Sequence, residues 1–231
     1  MNTLTLTDRD GVAVLAADRP PVNAMNLELL EELVMTVDRL AADPPRALVL
    51  AGRPGAFSAG LDLKAVPGYS PEQRREMVRG INGMALGVYG LPCPVVCAIT
   101  GHAIAGGFVL AVCGDHRVAS TEGRYGLTEV KVGVPYPQGA IGVVRAELTT
   151  GAARLLVLGN RLVDAGECVR LGAFDEALAP DAVLDRSLEV AQELAALPAE
   201  IYASTKSELR AQTLTELRAA AAADPLLDSW V

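Results

Sequence analysis

The chain is most constrained by residues 95–119, VVCAITGHAIAGGFVLAVCGDHRVA, where an apolar run meets a small-residue turn that opens directly into a second apolar run. Val95, Val96, Ala98 and Ile99 are too uniformly apolar for a strand wetted on one side, so this strand is expected to be buried on both faces. Gly101, Ala103, Ala105, Gly106 and Gly107 then let the backbone bend and come close to other groups. From Phe108 the pattern is helical, which puts the first unsatisfied N–H groups of that helix at Gly106 and Gly107, with the positive end of its dipole behind them. Such a terminus can receive an anion or a polarised oxygen. An isolated Gly-Gly pair serves as readily for close packing of helix on strand.

A second stretch bears on that choice. Residues 56–63, AFSAGLDL, follow an apolar strand at 47–51 and place the turn Ala59-Gly60 before the N–H of Leu61. Two backbone donors from separate loops can converge on one oxygen, which assembles an oxyanion hole without any side chain.

The rest of the chain reads as α/β. Residues 3–7 and 12–16 flank the turn signal Asp10-Gly11 and predict a β-hairpin. Asn26 caps a helix with Leu30, Leu33, Val34, Val37 and Leu40 at helical spacing, ended by Asp43-Pro44-Pro45. Residues 66–71 read as a mobile loop, and the helix after it sets Met77, Ile81, Met84, Ala85, Val88 and Tyr89 on one face, chiefly for core packing. Residues 115–120 read as a strand and 124–132 as a strand or turn carrying Glu129. Helices are expected at 150–158, 164–171 and 185–197, with two further alanine-rich ones at 200–211 and 215–223. Strand, turn and helix units followed by helices make an α/β layout with a helical tail.

At 231 residues and 51% hydrophobic content the chain can bury one substantial core, and with aromatics at 4% small aliphatic side chains must fill it. The net charge of −8 argues against nucleic acid or an anionic membrane surface as the main partner. Cys93, Cys97, Cys113 and Cys168 form no C-x-x-C pair and the two histidines have no zinc-ligand spacing, so reduced, buried thiols and no metal are expected. The polar start MNTLTLTDRDG and the lack of a membrane-length apolar run predict a cytoplasmic protein.

RPPVNAM (19–25), AFSAGLDL, ITGHAIAGGFVLAVCGDHRVA (99–119) and RYGLTEVKVGV (124–134), in that order, resemble the crotonase, or enoyl-CoA hydratase/isomerase, superfamily over about residues 10–225. The resemblance implies a spiral of ββα units, with a core over 1–180 holding an acyl-CoA site and a C-terminal helical region, 181–231, that builds a homotrimer or hexamer. It implies a role in fatty acid metabolism. The substrate is an acyl-CoA thioester; coenzyme A is part of it and no separate cofactor is expected. The N–H groups of Leu61 and Gly106 would hold the thioester oxygen. Ala24, Ala59, Gly60, Asp62, Leu63 and Lys64 would line the substrate site from the first two motifs, and Gly107, Tyr136 and Gln138 from the later ones. Arg19, Arg53 and Lys64 are candidates for the coenzyme phosphates. The family's basic C-terminal tail has no counterpart here, so coenzyme contacts made by that tail are not expected.

Hydratases of the family use two glutamates. Aligned without gaps, the first falls on Val109, which cannot carry a proton, and the second on Glu129. Where hydratases use a glycine N–H to help hold the attacking water, the same register places Pro137, which has none. A lone carboxylate can still take a proton from C2 and return it at C4 through a dienolate. The pattern is similar to that of Δ3,Δ2-enoyl-CoA isomerases, with Glu129 as general acid/base, its pKa raised by apolar Leu127, Val130 and Val132. Asp62 is expected to tie its own loop, His102 to be structural, and Asp115 to cap or orient the next strand. Two alternatives stay open: a hydratase or other lyase or hydrolase in which Asp62, Tyr136 or Glu122 supplies the second proton, and a catalytically silent acyl-CoA-binding protein.

Overall fold

The computed structural model describes residues 3–230. It opens with β1 (Leu4–Arg9) and β2 (Val12–Ala17), an antiparallel hairpin turned by Asp10 and Gly11, both at positive φ as a two-residue hairpin turn requires. Helix α1 (Leu27–Ala42) starts where the Asn26 side chain accepts the N–H of Leu29. There follow β3 (Leu48–Ala51), β4 (Gly55–Ser58), α2 (Pro71–Tyr89), β5 (Val95–Ile99), β6 (Gly101–Ile104) and α3 (Gly106–Val112). Next come β7 (His116–Ser120), β8 (Tyr125–Gly126), α4 (Glu129–Val132), α5 (Gln138–Glu147) and α6 (Thr150–Ala153), the last running into a π-helical turn at Arg154–Leu158. The chain continues through α7 (Ala165–Arg170), β9 (Glu176–Leu178), α8 (Val183–Ala195), α9 (Ala199–Ala222) and α10 (Leu226–Ser229).

Two sheets organise these elements. The larger has six strands in the order β1-β2-β3-β5-β7-β9, parallel except for the β1 edge; the smaller has three parallel strands, β4-β6-β8. Each of the units β3-β4-α2, β5-β6-α3 and β7-β8-α4 gives its first strand to the large sheet, its second to the small one, and then a helix. That is the spiral of ββα units which the motifs imply.

Burial of both faces of β5 is borne out by where its alternate side chains go. Val95, Cys97 and Ile99 join the main core with side chains of α1, α2 and α3, whereas Val96 and Ala98 pack on the other face against Val183, Val190 and Ala191 of α8. The α2 face from Met77 to Tyr89 lies in the main core, as its spacing predicts. All four cysteines are buried and unpaired.

Several expectations need correction. Residues 101–104, read as a turn, form β6, because the small sheet offers their backbone a parallel partner on each side. The helix begins at Gly106 rather than Phe108, leaving Ala105 alone as the turn. Residues 66–71 contain a 3₁₀ turn, Val66–Gly68, and the capping box of Ser70 and Gln73 that starts α2. Residues 124–132, read as a strand or turn, hold the two-residue strand β8 and then the one-turn helix α4, which Glu129 opens. The two alanine-rich helices are one, α9, because no breaker separates residues 211 and 215.

Candidate active site

Because β4, β6 and β8 run parallel, their C-terminal ends lie along one edge, and each end leads into one of the segments singled out above. Beyond β4 comes Ala59-Gly60-Leu61, beyond β6 Ala105-Gly106, and beyond β8 Leu127 to Glu129. Ligands of parallel sheets gather outside such ends. Backbone hydrogen bonds hold each of these ends in place. The Ala105 N–H donates to Gly126 O at 2.9 Å, and a parallel bridge pairs Met25 with Leu61.

Gly60 explains why the first two ends can meet. It sits at φ +78°, and a Cβ there would lie 2.7 Å from Ala105 Cβ, 2.8 Å from Ile104 O and 2.9 Å from Gly106 N. Only glycine allows the Gly60-Leu61 peptide so close to the Ala105-Gly106 peptide. Among the described residues, neither the Leu61 N–H nor the Gly106 N–H donates to another protein group. Ala105 itself holds φ +53°, ψ −126°, a region costly for a residue with a side chain, and this conformation delivers Gly106 as the first residue of α3.

The loop carrying Leu61 is fixed from beneath. Asn23, fully buried at φ +50°, donates through Nδ2 to the carbonyls of Ala17, Ala56 and Phe57 and accepts the Arg19 N–H. Met25 N donates to Gly60 O at 2.7 Å and Asp62 N to Met25 O at 2.9 Å. Asp62 ties its own loop, accepting from the N–H groups of Lys64 and Ala65 and pairing with Arg19 at 2.9 Å. Arg19 also donates to Ala24 O, which makes it a brace of this loop; Arg53 pairs with Asp18 at 3.6 Å. Of the three phosphate candidates, Lys64 is exposed and has no ion-pair partner among the described residues, as does its neighbour Leu63 lie exposed. Gly107 packs tightly: a Cβ would sit 2.3 Å from Ser58 O, so its absence lets α3 rest on β4.

Glu129 is 7% exposed and has no cation within ion-pair distance among the described residues. The Tyr136 hydroxyl donates to its Oε2 at 2.6 Å. Burial pushes the Glu129 carboxyl up, while the Tyr136 hydrogen bond, then the backbone N–H groups of Glu129 and Thr128, pull it back. Burial likewise pushes the Tyr136 phenol up, aided by the adjacent carboxylate, so it stays a neutral donor. Of the apolar neighbours expected around Glu129, Leu127 is buried, but Val130 and Val132 are 57% and 48% exposed. The helical turn of α4 directs them outward, so they do not supply the burial. Val109 is 1% exposed in the core of α3 and carries no proton. Glu122 precedes β8, whereas Glu129 follows it, so these two carboxylates do not share an end of the strand.

Two polar residues that the sequence reading did not single out control the turn after Tyr136. Asp224 Oδ2 accepts the Gln138 N–H at 2.8 Å and the Asn82 amide at 2.9 Å, and Asn82 Oδ1 accepts the Gly139 N–H at 2.7 Å. Both are buried. The one available signal was a polar Asn82 inside the apolar face of α2. His102 accepts the Arg124 N–H through Nδ1 and is structural, and Asp115 accepts the Val95 N–H at the start of β5. The described residues contain no group of three metal-ligating side chains and no helix long and apolar enough to cross a membrane.

The ββα spiral with this edge defines a class, and comparison with known proteins gives the same one. The sequence profile of the enoyl-CoA hydratase/isomerase family matches residues 7–228, so the chain belongs to that family and is an enzyme of it. A probable enoyl-CoA hydratase EchA17 of Mycobacterium tuberculosis is 33% identical over 85% of this chain and 76% of its own. The mouse mitochondrial enoyl-CoA delta isomerase 1 is 34% identical over 81% of this chain and 66% of its own. Among solved structures, human mitochondrial delta3-delta2-enoyl-CoA isomerase superposes with a TM-score of 0.87 at 29% identity, covering 96% of this chain and 88% of its own. The names of these relatives divide between hydratase and isomerase.

Proposed function

We propose that this protein is a Δ3,Δ2-enoyl-CoA isomerase acting on acyl-CoA thioesters. The N–H groups of Leu61 and Gly106 hold the thioester oxygen, which stabilises the enolate formed when a proton leaves C2. Glu129 takes that proton and returns it at C4, moving the double bond from C3–C4 to C2–C3. Its raised proton affinity brings it nearer the neutral poise that such a shuttle requires. Lys64, exposed and without an ion-pair partner among the described residues, is the candidate for a coenzyme phosphate, and the proposed chemistry needs no group beyond the coenzyme A of the substrate.

One observation carries the choice of isomerase over hydratase. The turn at 137–139 has no N–H left to hold an attacking water: Pro137 has none, Gln138 gives its own to Asp224, and Gly139 gives its own to Asn82. With Val109 in place of a second carboxylate, neither the water nor its proton acceptor is provided for. The test is spectroscopic. A 3-enoyl thioester should gain the absorbance of the conjugated 2-enoyl product, and a 2-enoyl thioester in water should keep it. Loss of the 2-enoyl band at a comparable rate would make the protein a hydratase. Tight coenzyme A binding with no turnover of any acyl chain would make it a silent binder.

A further inference from the structure

We propose that Tyr136 is the positioning residue for Glu129: its hydroxyl pins Oε2, orients the carboxyl for the transfer between C2 and C4, and fills the place a water would take on that oxygen. The inference rests on the isomerase reading above and adds to it a residue that governs the acid.

The path of the chain puts Tyr136 there. Helix α4 is stopped by Gly133 at φ +71°, whose N–H returns to Glu129 O, and the Val134 N–H follows to the same oxygen at 3.0 Å. The chain thus folds back over the first residue of α4, and residues 134–137, two of them proline, carry the Tyr136 ring across Glu129. Prolines at 135 and 137 restrict the backbone on both sides of the tyrosine. The far end of the turn is clamped to Asp224, just before α10, and to Asn82 on α2. Tyr136 therefore reaches Glu129 from a segment held at both ends, and no other side chain among the described residues hydrogen-bonds that carboxyl.

A hydroxyl donating to a carboxylate favours the ionised form, which is the base that removes the C2 proton. Without it, the carboxyl binds its proton more tightly and less base is present at a given acidic pH. Tyr136→Phe removes one oxygen and keeps the ring. It should move the acidic limb of the kcat/KM profile for 3-enoyl-CoA to higher pH. On that limb activity should fall about ten-fold or more, the effect of one hydrogen bond to a charged group, with acyl-CoA affinity unchanged. A second variant reads in the opposite sense: 3-fluorotyrosine placed at position 136, a stronger donor, should move the limb to lower pH. Profiles of both variants that superimpose on the wild type would overturn the proposal and leave Tyr136 as a wall of the site. Glu129→Gln run alongside separates the two claims. If that variant still isomerises, the isomerase reading itself fails; if it is dead and the Tyr136 profiles do not move, only the role of Tyr136 fails.

Discussion

Two carboxylates largely withdrawn from solvent are treated in opposite ways in this molecule. Asp115, immediately before β7, meets Lys206 at 2.6 Å and Arg210 at 2.9 Å and accepts the N–H of Val95, the first residue of β5. Glu147 beside it pairs with Arg117, and Arg210 stacks on Tyr89 at 3.9 Å. This cluster fastens α9 to the end of the large sheet, with Lys206 also donating to Cys93 O. Glu129 is buried as deeply but has one neutral phenol where Asp115 has two cations. Charge that holds the chain together is matched by opposite charge; the carboxyl proposed to shuttle a proton is left with a neutral donor.

Substitution at each carboxylate separates the two roles. The largest effect is expected at Glu129: Glu129→Gln should lower kcat for isomerisation by about 10²–10⁴-fold while acyl-CoA binding, followed by calorimetry, stays near normal. At the other carboxylate, Asp115→Asn should leave the buried Lys206 without its counter-charge and Arg210 with only Glu147, at 3.7 Å. Urea unfolding should show a loss of about 3–5 kcal/mol, as when one partner of a buried ion pair is removed. Kinetics of the folded fraction should change little, since the cluster touches no part of the proposed site. Gly60→Ala tests the apposition of the two loops. Its Cβ would push on backbone at Ile104 and Gly106, and kcat should fall about 10²–10³-fold, as when one oxyanion donor is lost.

The smallest expected effect is on stability at Glu129. Its carboxyl is harder to ionise in the folded protein than in the unfolded chain, so ionisation favours unfolding as pH rises through its raised pKa. Glu129→Gln removes that cost. Its Tm should exceed the wild-type value at neutral pH, and the gap should close as pH falls below the ordinary glutamate range, where both states of the wild type are protonated. A gap that widens on acidification would mean that Glu129 is stabilised by a cation.

How much of this was legible beforehand follows from the range over which each feature is set. The Asn26 cap, the hairpin at Asp10-Gly11 and the double-sided burial of β5 depend on neighbours a few residues away, and the sequence pattern contains them. Glu129 and the Leu61 and Gly106 turns were reachable through motif resemblance and register. The β6 strand was not, because residues 101–104 look like a turn until β4 and β8 flank them. Nor were the contacts that tune the site: Tyr136 was legible as a site residue but not as the partner of Glu129, 7 residues away across a reversal, and Asp224 reaches Gln138 over 86 residues. Val130 and Val132 were misplaced because one helical turn, rather than strand alternation, sets where they face.

In the proposed reaction one buried carboxyl makes both proton transfers. The direct measurement is turnover in ordinary water of a 3-enoyl-CoA with both C2 hydrogens replaced by deuterium. If Glu129 carries the label from C2 to C4 without exchanging it fully, part of the 2-enoyl product will hold deuterium at C4. Product with only protium at C4 from the first turnovers onward would contradict a single buried shuttle.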